Sequence, residues 1–206
     1  MNKIFIEAKH ERTSEYNFIQ TIVFKHFPNK EFKIVCMDGV ANLFSETILN
    51  QINQALDEGD HVLVLVDADD RNKGWGFSAR RQDILAKANH HKVCFPFFVY
   101  PNHMEDGDVE VLMESVARKD IYRDWWSCFE DYEVCVKGAK DENGNLKYKL
   151  PNRKAKLHTF ISSQTLSNKQ RDKVGRGYWL FDNPSYWDLE SEKLKPLLDF
   201  LAANLL

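Results

Sequence analysis

Carboxylates follow two of the most apolar runs in this chain. Glu7 comes directly after Ile4, Phe5 and Ile6, and Asp67, Asp69 and Asp70 come directly after the run HVLVLV at 61–66. Strand-end acids gathered in one place repel one another and raise each other's pKa unless a cation sits among them. Mg²⁺, or Mn²⁺ in its place, is the natural compensator, because it takes oxygen ligands and keeps several waters. Asp67 and Asp69 are two residues apart, so in an extended chain they point the same way, with Ala68 tucked between them. Asp106, Asp108 and Glu110 follow the next apolar run, KVCFPFFVY at 92–100, and bring a second acidic group towards the same edge. Asp108 either caps the following helix or supports a second ion, and Glu110 gains from the helix dipole whether or not it holds metal. The chemistry such a set fits is metal-assisted phosphodiester hydrolysis. A held cation there polarises phosphate, lowers the pKa of a bound water and stabilises the leaving oxygen.

Basic segments flank these acids. From Lys147 to Arg176 nine Lys or Arg residues stand against the single acid Asp172. Lys169, Arg171, Lys173 and Arg176 are candidates for nucleic-acid backbone contact, with a solvated basic loop as the alternative. The stretch RNKGWGFSARR at 71–81 offers Arg71, Lys73, Arg80 and Arg81 as further contacts. Trp75 and Phe77 within it either stack on a base or pack against the sheet. His90 and His91 have no Cys or His partners at zinc spacing.

The positioning elements follow from periodicity. Strands are predicted at Lys3 to Ala8, Phe32 to Met37, His61 to Val66 and Lys92 to Tyr100. The third run is continuously apolar, which marks a central parallel strand buried on both faces. Pro96 lacks the N–H that an interior ladder needs, so the fourth strand belongs at a sheet edge or carries a bulge. Helical spacing connects them at Ser14 to Phe27, Asn42 to Leu56, Ser78 to Asn89 and Asp108 to Ala117. If strands one and three are neighbours, their end groups lie about 5 Å apart. Beyond residue 119 the pattern turns aromatic and helical. Asp120 to Val136 and Asp188 to Leu206 read as packing helices, Asp141 to Asn145 as a turn, and Leu166 to Gly177 as a mobile basic segment. The expected organisation is an α/β core at 1–119 and a C-terminal helical and aromatic extension at 120–206 packed on it.

With 206 residues and 43% hydrophobic content, the chain can bury one substantial core. Its net charge of −3 gives no whole-chain case for nucleic-acid binding, so that case rests on the local basic segments. The four cysteines show no CxxC spacing, and Cys36 and Cys94 lie in apolar runs, so free buried thiols in a reducing cytoplasm are expected. No run approaches the length of a membrane span, and the first residues do not form a signal peptide. A cytoplasmic protein without membrane attachment is expected, with a protein partner or homo-oligomer left open.

IFIEA near the start and VLVLVDADD in the middle, with the order between them, resemble the Toprim domain of topoisomerases, primases and overcoming-lysogenisation-defect nucleases. The resemblance is nearer to compact, stand-alone Toprim-like prokaryotic proteins and to that nuclease branch. It covers roughly residues 3 to 117, with a weaker tail to about 163. It implies a Rossmann-like, mostly parallel sheet with helices on both faces, Glu7 as the motif glutamate, and Asp67 and Asp69 as the DxD pair. GDVEVLME maps onto an acidic family segment through Gly107, Asp108 and Glu110, and the branch's lysine onto Lys154 or Lys156. Ala8 stands where the family usually has glycine, and the family's next acid is matched by Glu15 with an insertion or by Glu11 at a different spacing. The implied activity is Mg²⁺- or Mn²⁺-dependent cleavage, or a related phosphotransfer, on DNA or RNA. Glu7, Asp67, Asp69, Glu110 and Lys154 or Lys156 would be catalytic, and Glu7, Asp67, Asp69, Asp108 and Glu110 would hold metal. The alternative is a non-catalytic metal- or partner-binding relative serving nucleic-acid maintenance or phage defence.

Overall fold

The computed structural model describes residues 1–206, except for the side chain of Lys73. Four parallel strands, β1 (Asn2–Ile6), β2 (Phe32–Cys36), β3 (His61–Asp67) and β4 (Phe97–Tyr100), form one sheet in the order β2-β1-β3-β4. Along β3, Leu63 and Leu65 enter one core cluster with Ile4, Ile6, Phe98 and Tyr100, while Val62, Val64 and Val66 enter the other with Phe5 and Val99. Both pleat faces are therefore buried, which is why the strand reads as an unbroken apolar run. The fourth strand is shorter than its apolar run suggests and starts immediately after Pro96. Pro96 has no N–H to give, but its carbonyl accepts from the Val64 N–H at 3.1 Å, and β4 lies at the sheet edge.

Helices cover both faces. α2 (Glu46–Asp57) and α3 (Phe77–His91) pack through Ile48, Ile52 and Ile84 on the Phe5 and Val64 side. On the other side lie α1 (Ser14–His26), α4 (Val109–Ser115), α6 (Arg153–Ser162) and α8 (Lys195–Asn204), which contribute Phe18, Ile22, Leu112, Phe160 and Leu201. α2 begins later than its periodicity suggests, because Ser45 caps it by accepting from the Ile48 N–H at 3.4 Å, and Val40–Asn42 forms a separate 3₁₀ turn. The cap is worth about 1 kcal/mol, so Ser45→Ala is expected to lower the denaturant midpoint without altering its slope.

The C-terminal region shares its core with the sheet. α5 (Arg123–Gly138) supplies Trp126, and Trp187, 1% exposed, donates its indole N–H to the Trp179 carbonyl at 2.8 Å. Two expectations change here. The segment at 166–177, read as mobile, contains α7 (Asn168–Gly175), closed by a capping box between Ser167 and Gln170. Cys94 is exposed and Cys36 half-buried, because the strand that was expected to bury Cys94 does not begin until Phe97; all four cysteines are free. The turn at 141–145 is a hairpin tip, flanked by an antiparallel bridge between Lys140 and Leu146.

Gly177 lets the turn after α7 lie against the start of α1. Its φ is +85°, and a Cβ there would stand 2.7 Å from the Arg12 carbonyl oxygen. Gly177→Ala should therefore cost about 2 kcal/mol, read as a Tm lowered by roughly 4–8 °C. Among the described residues no helix is long and apolar enough to cross a membrane.

Candidate functional site

Pairing of Ile6 with Leu65 brings the ends of β1 and β3 together, and Glu7 spans them. Its Oε1 accepts from the Asp67 N–H at 2.7 Å, and its Oε2 accepts from the Val40 N–H at 3.2 Å. One carboxylate thus ties β1 to β3 and to the loop after β2. Asp67 Oδ1 accepts from the Val109 N–H at 2.8 Å, the first residue of α4, where the helix dipole favours an anion. From α1, Glu15 Oε1 accepts from the Glu7 N–H at 3.2 Å. From α4, Glu110 faces Lys154 of α6 at 3.3 Å.

These acids share one poorly solvated space. Burial, then the charges of Glu7, Glu15 and Glu110, hold the Asp67 pKa well above the usual carboxylate range. Burial, then Glu7 and Glu110, pushes Glu15 up to about 8, against the pull of Lys154. Burial also raises Glu7, opposed by its two backbone donors and by Arg80. At the end of β4, in register with Asp67, Tyr100 is fully buried and its hydroxyl has no hydrogen-bond partner among the described atoms. Burial and the charges of Glu15, Asp67, Glu7 and Glu110 raise the Tyr100 pKa as well, which places that hydroxyl in the field of the carboxylates.

Asp69 departs from the extended geometry expected of the DxD pair. Its φ is +61°, and it makes an antiparallel bridge to Gly107, with its N–H donating at 2.8 Å and its carbonyl accepting at 3.0 Å. The chain therefore turns at Asp69, while Ala68 stays fully buried. Asp69 remains near enough to Glu7 to raise that residue's pKa.

Arg80, expected at a nucleic-acid surface, is 3% exposed instead and holds the DxD turn together. Its Nη2 pairs with Asp69 Oδ2 at 2.6 Å, its Nε donates to the Asp67 carbonyl at 3.0 Å, and Trp75 covers its guanidinium at 4.0 Å. Lysine cannot reproduce that fork, so Arg80→Lys should cost about 1–2 kcal/mol of stability, read as a lowered denaturant midpoint. Gly76 makes room for the same arrangement: its φ is +111°, and a Cβ would meet Asp106 Oδ1 at 2.7 Å. Asp106 accepts from the Phe77 N–H at 2.8 Å and pairs with Arg71.

Of the two lysines left open, Lys154 reaches the acids. Lys156 is 9% exposed and turns instead towards Glu114 at 3.7 Å, Glu133 at 3.8 Å and the Trp126 ring. Asp108 caps α4 by accepting from the Val111 N–H at 3.0 Å and faces Arg153 at 3.4 Å. Arg81, Lys169, Arg171, Lys173 and Arg176 are exposed, the last four on or just after α7, and the side chain of Lys73 lies outside the described residues. Sequence reasoning had placed Glu15 only as an inserted match, and nothing local marked Tyr100 among the apolar residues of its strand.

The side chains gathered here are oxygen donors that repel one another, with Arg80 and Lys154 as the counter-charges beside them. Among the described residues no group of three His, Cys, Asp or Glu is already arranged to hold an ion. A family model described as a protein of unknown function (DUF3226) matches residues 1–205. No curated protein and no solved structure matches the chain.

Proposed function

The chain belongs to the DUF3226 family, and we propose that it is a Toprim-like phosphodiesterase that cuts nucleic acid with Mg²⁺ or Mn²⁺. The observation that carries this reading is the gathering of Glu7, Glu15, Asp67 and Glu110 around one buried space, with Lys154 beside them. A helix or solvent can hold a single strand-end acid, but Glu7, Glu15 and Asp67, all with raised proton affinity and with Glu110 beside them, call for a cation.

A bound divalent cation supplies charge neutralisation for phosphate and a water of lowered pKa. Glu7 and Asp67 would hold it, with Asp69 and Glu110 at the margin and Asp108 in support. Glu7 and Asp67 are fixed by backbone donors from β3, the Val40 turn and α4, so their oxygens start in place. Arg80 keeps the Asp67–Asp69 turn closed beneath them. Lys154, 3.3 Å from Glu110, would supply positive charge to a phosphate held beside these acids. The exposed basic face of α7 gives the backbone of a strand a place to lie.

The test is incubation of the purified protein with end-labelled single-stranded and duplex DNA and RNA, in Mg²⁺, Mn²⁺ or chelator. Chelator-sensitive cutting of at least one of these is expected. A second reading, a non-catalytic protein that binds a metal or a partner, is favoured by the way both Glu7 oxygens already accept backbone N–H groups, as a structural clamp would. Saturable Mn²⁺ binding with no cutting of any substrate would establish it in place of the enzyme.

A further inference from the structure

Beside the carboxylates, on the far side of Lys154, lies a groove of about 460 Å³ between the start of α1, the start of α6 and the end of α7. We propose that this groove binds a phosphate of the nucleic-acid strand, next to the one presented to the acids. The inference rests on the reading that the substrate is nucleic acid.

Charge is the first reason. Arg12, Lys154 and His158 line the groove, and no carboxylate is found among its described lining residues, although the chain as a whole is acidic. A phosphate approaching Glu7, Glu15, Asp67 and Glu110 meets four acids, and these bases are what make the approach favourable.

The second reason is the backbone. The thirteen-residue α1 and the ten-residue α6 both begin at this groove. The first-turn N–H groups of a helix have no partner inside it and attract anions. Thr13 caps α1 through the Tyr16 N–H and Asn152 caps α6 through the Ala155 N–H, so each cap takes one donor of its turn.

Independent of both is Ser14. Ser14 is among the residues lining the groove and is 2% exposed, and its buried hydroxyl has no hydrogen-bond partner among the described atoms. Buried hydroxyls are almost always paired, and a phosphate oxygen in the groove is the missing acceptor. The wall opposite is closed by Gly177, whose lack of a side chain lets it approach the Arg12 backbone. Lys154 belongs to both places, since its Nζ is 3.3 Å from Glu110, so a strand lying in the groove continues onto the acids.

The test is anisotropy of a short 3′-labelled single-stranded DNA in chelator, where binding is read without cutting. Arg12 is exposed, and the Arg12→Glu variant should bind about tenfold more weakly and lose close to one phosphate's worth of salt dependence. Ser14→Ala should bind several-fold more weakly with the salt dependence unchanged, because a neutral donor releases no counterion. Lys33→Glu, an exposed reversal on β2 among the residues paired at the other end of the sheet, should change affinity less than twofold. Equal losses for 5′-phosphate and 5′-hydroxyl DNA assign an internal phosphodiester, and a loss confined to the 5′-phosphate strand assigns a terminal phosphate. Wild-type binding by both Arg12→Glu and Ser14→Ala overturns the groove, as does an equal loss in Lys33→Glu. If the wild-type protein cuts while those variants bind normally, the groove fails and the enzyme stands. If it never cuts while they lose affinity, the enzyme fails and the groove stands.

Discussion

Asp67→Asn is expected to lose about 10²–10³-fold of Mn²⁺-dependent cutting while making the metal-free protein more stable. The two effects have one cause. Asp67 is surrounded by Glu7, Glu15 and Glu110, and burial already disfavours its charge. Asparagine keeps the shape and an oxygen for the Val109 N–H, and its amide can donate to the neighbouring acids. Removing the charge therefore relieves repulsion, by about 1–2 kcal/mol, and removes the ligand a cation needs. Denaturant melts in chelator, Mn²⁺ titration and cutting rates would read all three quantities on the same preparation. A general folding defect would lower stability and activity together. Undiminished cutting by Asp67→Asn would remove this site from the reaction.

The second large effect is on pH. Stability of the metal-free protein should fall by on the order of 3–5 kcal/mol between pH 5 and pH 9 from Glu15 alone, a Tm drop on the order of 10 °C. The sign follows from proton binding. Glu15 titrates near the ordinary 4.5 when unfolded and at about 8 when folded, so between those values the folded state holds the extra proton. Raising pH through that window strips it and stabilises the unfolded chain, with the full loss present above about 8. Glu7 and Glu110 face Glu15 and act in the same direction, and Lys154 opposes them. Asp67 and Glu7, whose own pKa values are also raised, add to the slope. Glu15→Gln should flatten the curve, and saturating Mg²⁺ should flatten that of the wild type. A metal-free stability that is level from pH 5 to pH 9 would show that these carboxylates do not share one buried space.

Lys154 and Lys156 mark how far a local pattern reaches. Both are basic, both lie in RKAKLHTFIS, and neither type nor neighbourhood separates them. On a helix, two residues differ by about 200° in direction, so only one of the pair can face a given neighbour. Docking of α6 against α4 decides which: Lys154 meets Glu110, and Lys156 is left among Glu114, Glu133 and Trp126. Arg80 is a similar case. Its basic neighbours suggested a surface, but its place in α3 under the Asp67–Asp69 turn makes it a buried clamp.

Sequence alone determined the features that rest on nearest-neighbour chemistry. The unbroken run before Asp67 specified a strand buried on both faces, Pro96 narrowed the fourth strand to an edge or a bulge, and Glu7 and Asp67 were legible as strand-end acids because apolar period and turn residues act within a few positions. Tertiary structure decided which charges share a space. Pairing of β1 with β3 brought Glu7 to the Asp67 N–H, packing of α1 on the sheet brought Glu15 to Glu7, and the Gly107 bridge turned Asp69 towards Arg80. Electrostatic coupling depends on distance and solvent exclusion between residues far apart in the chain, and those quantities exist only once the chain has folded.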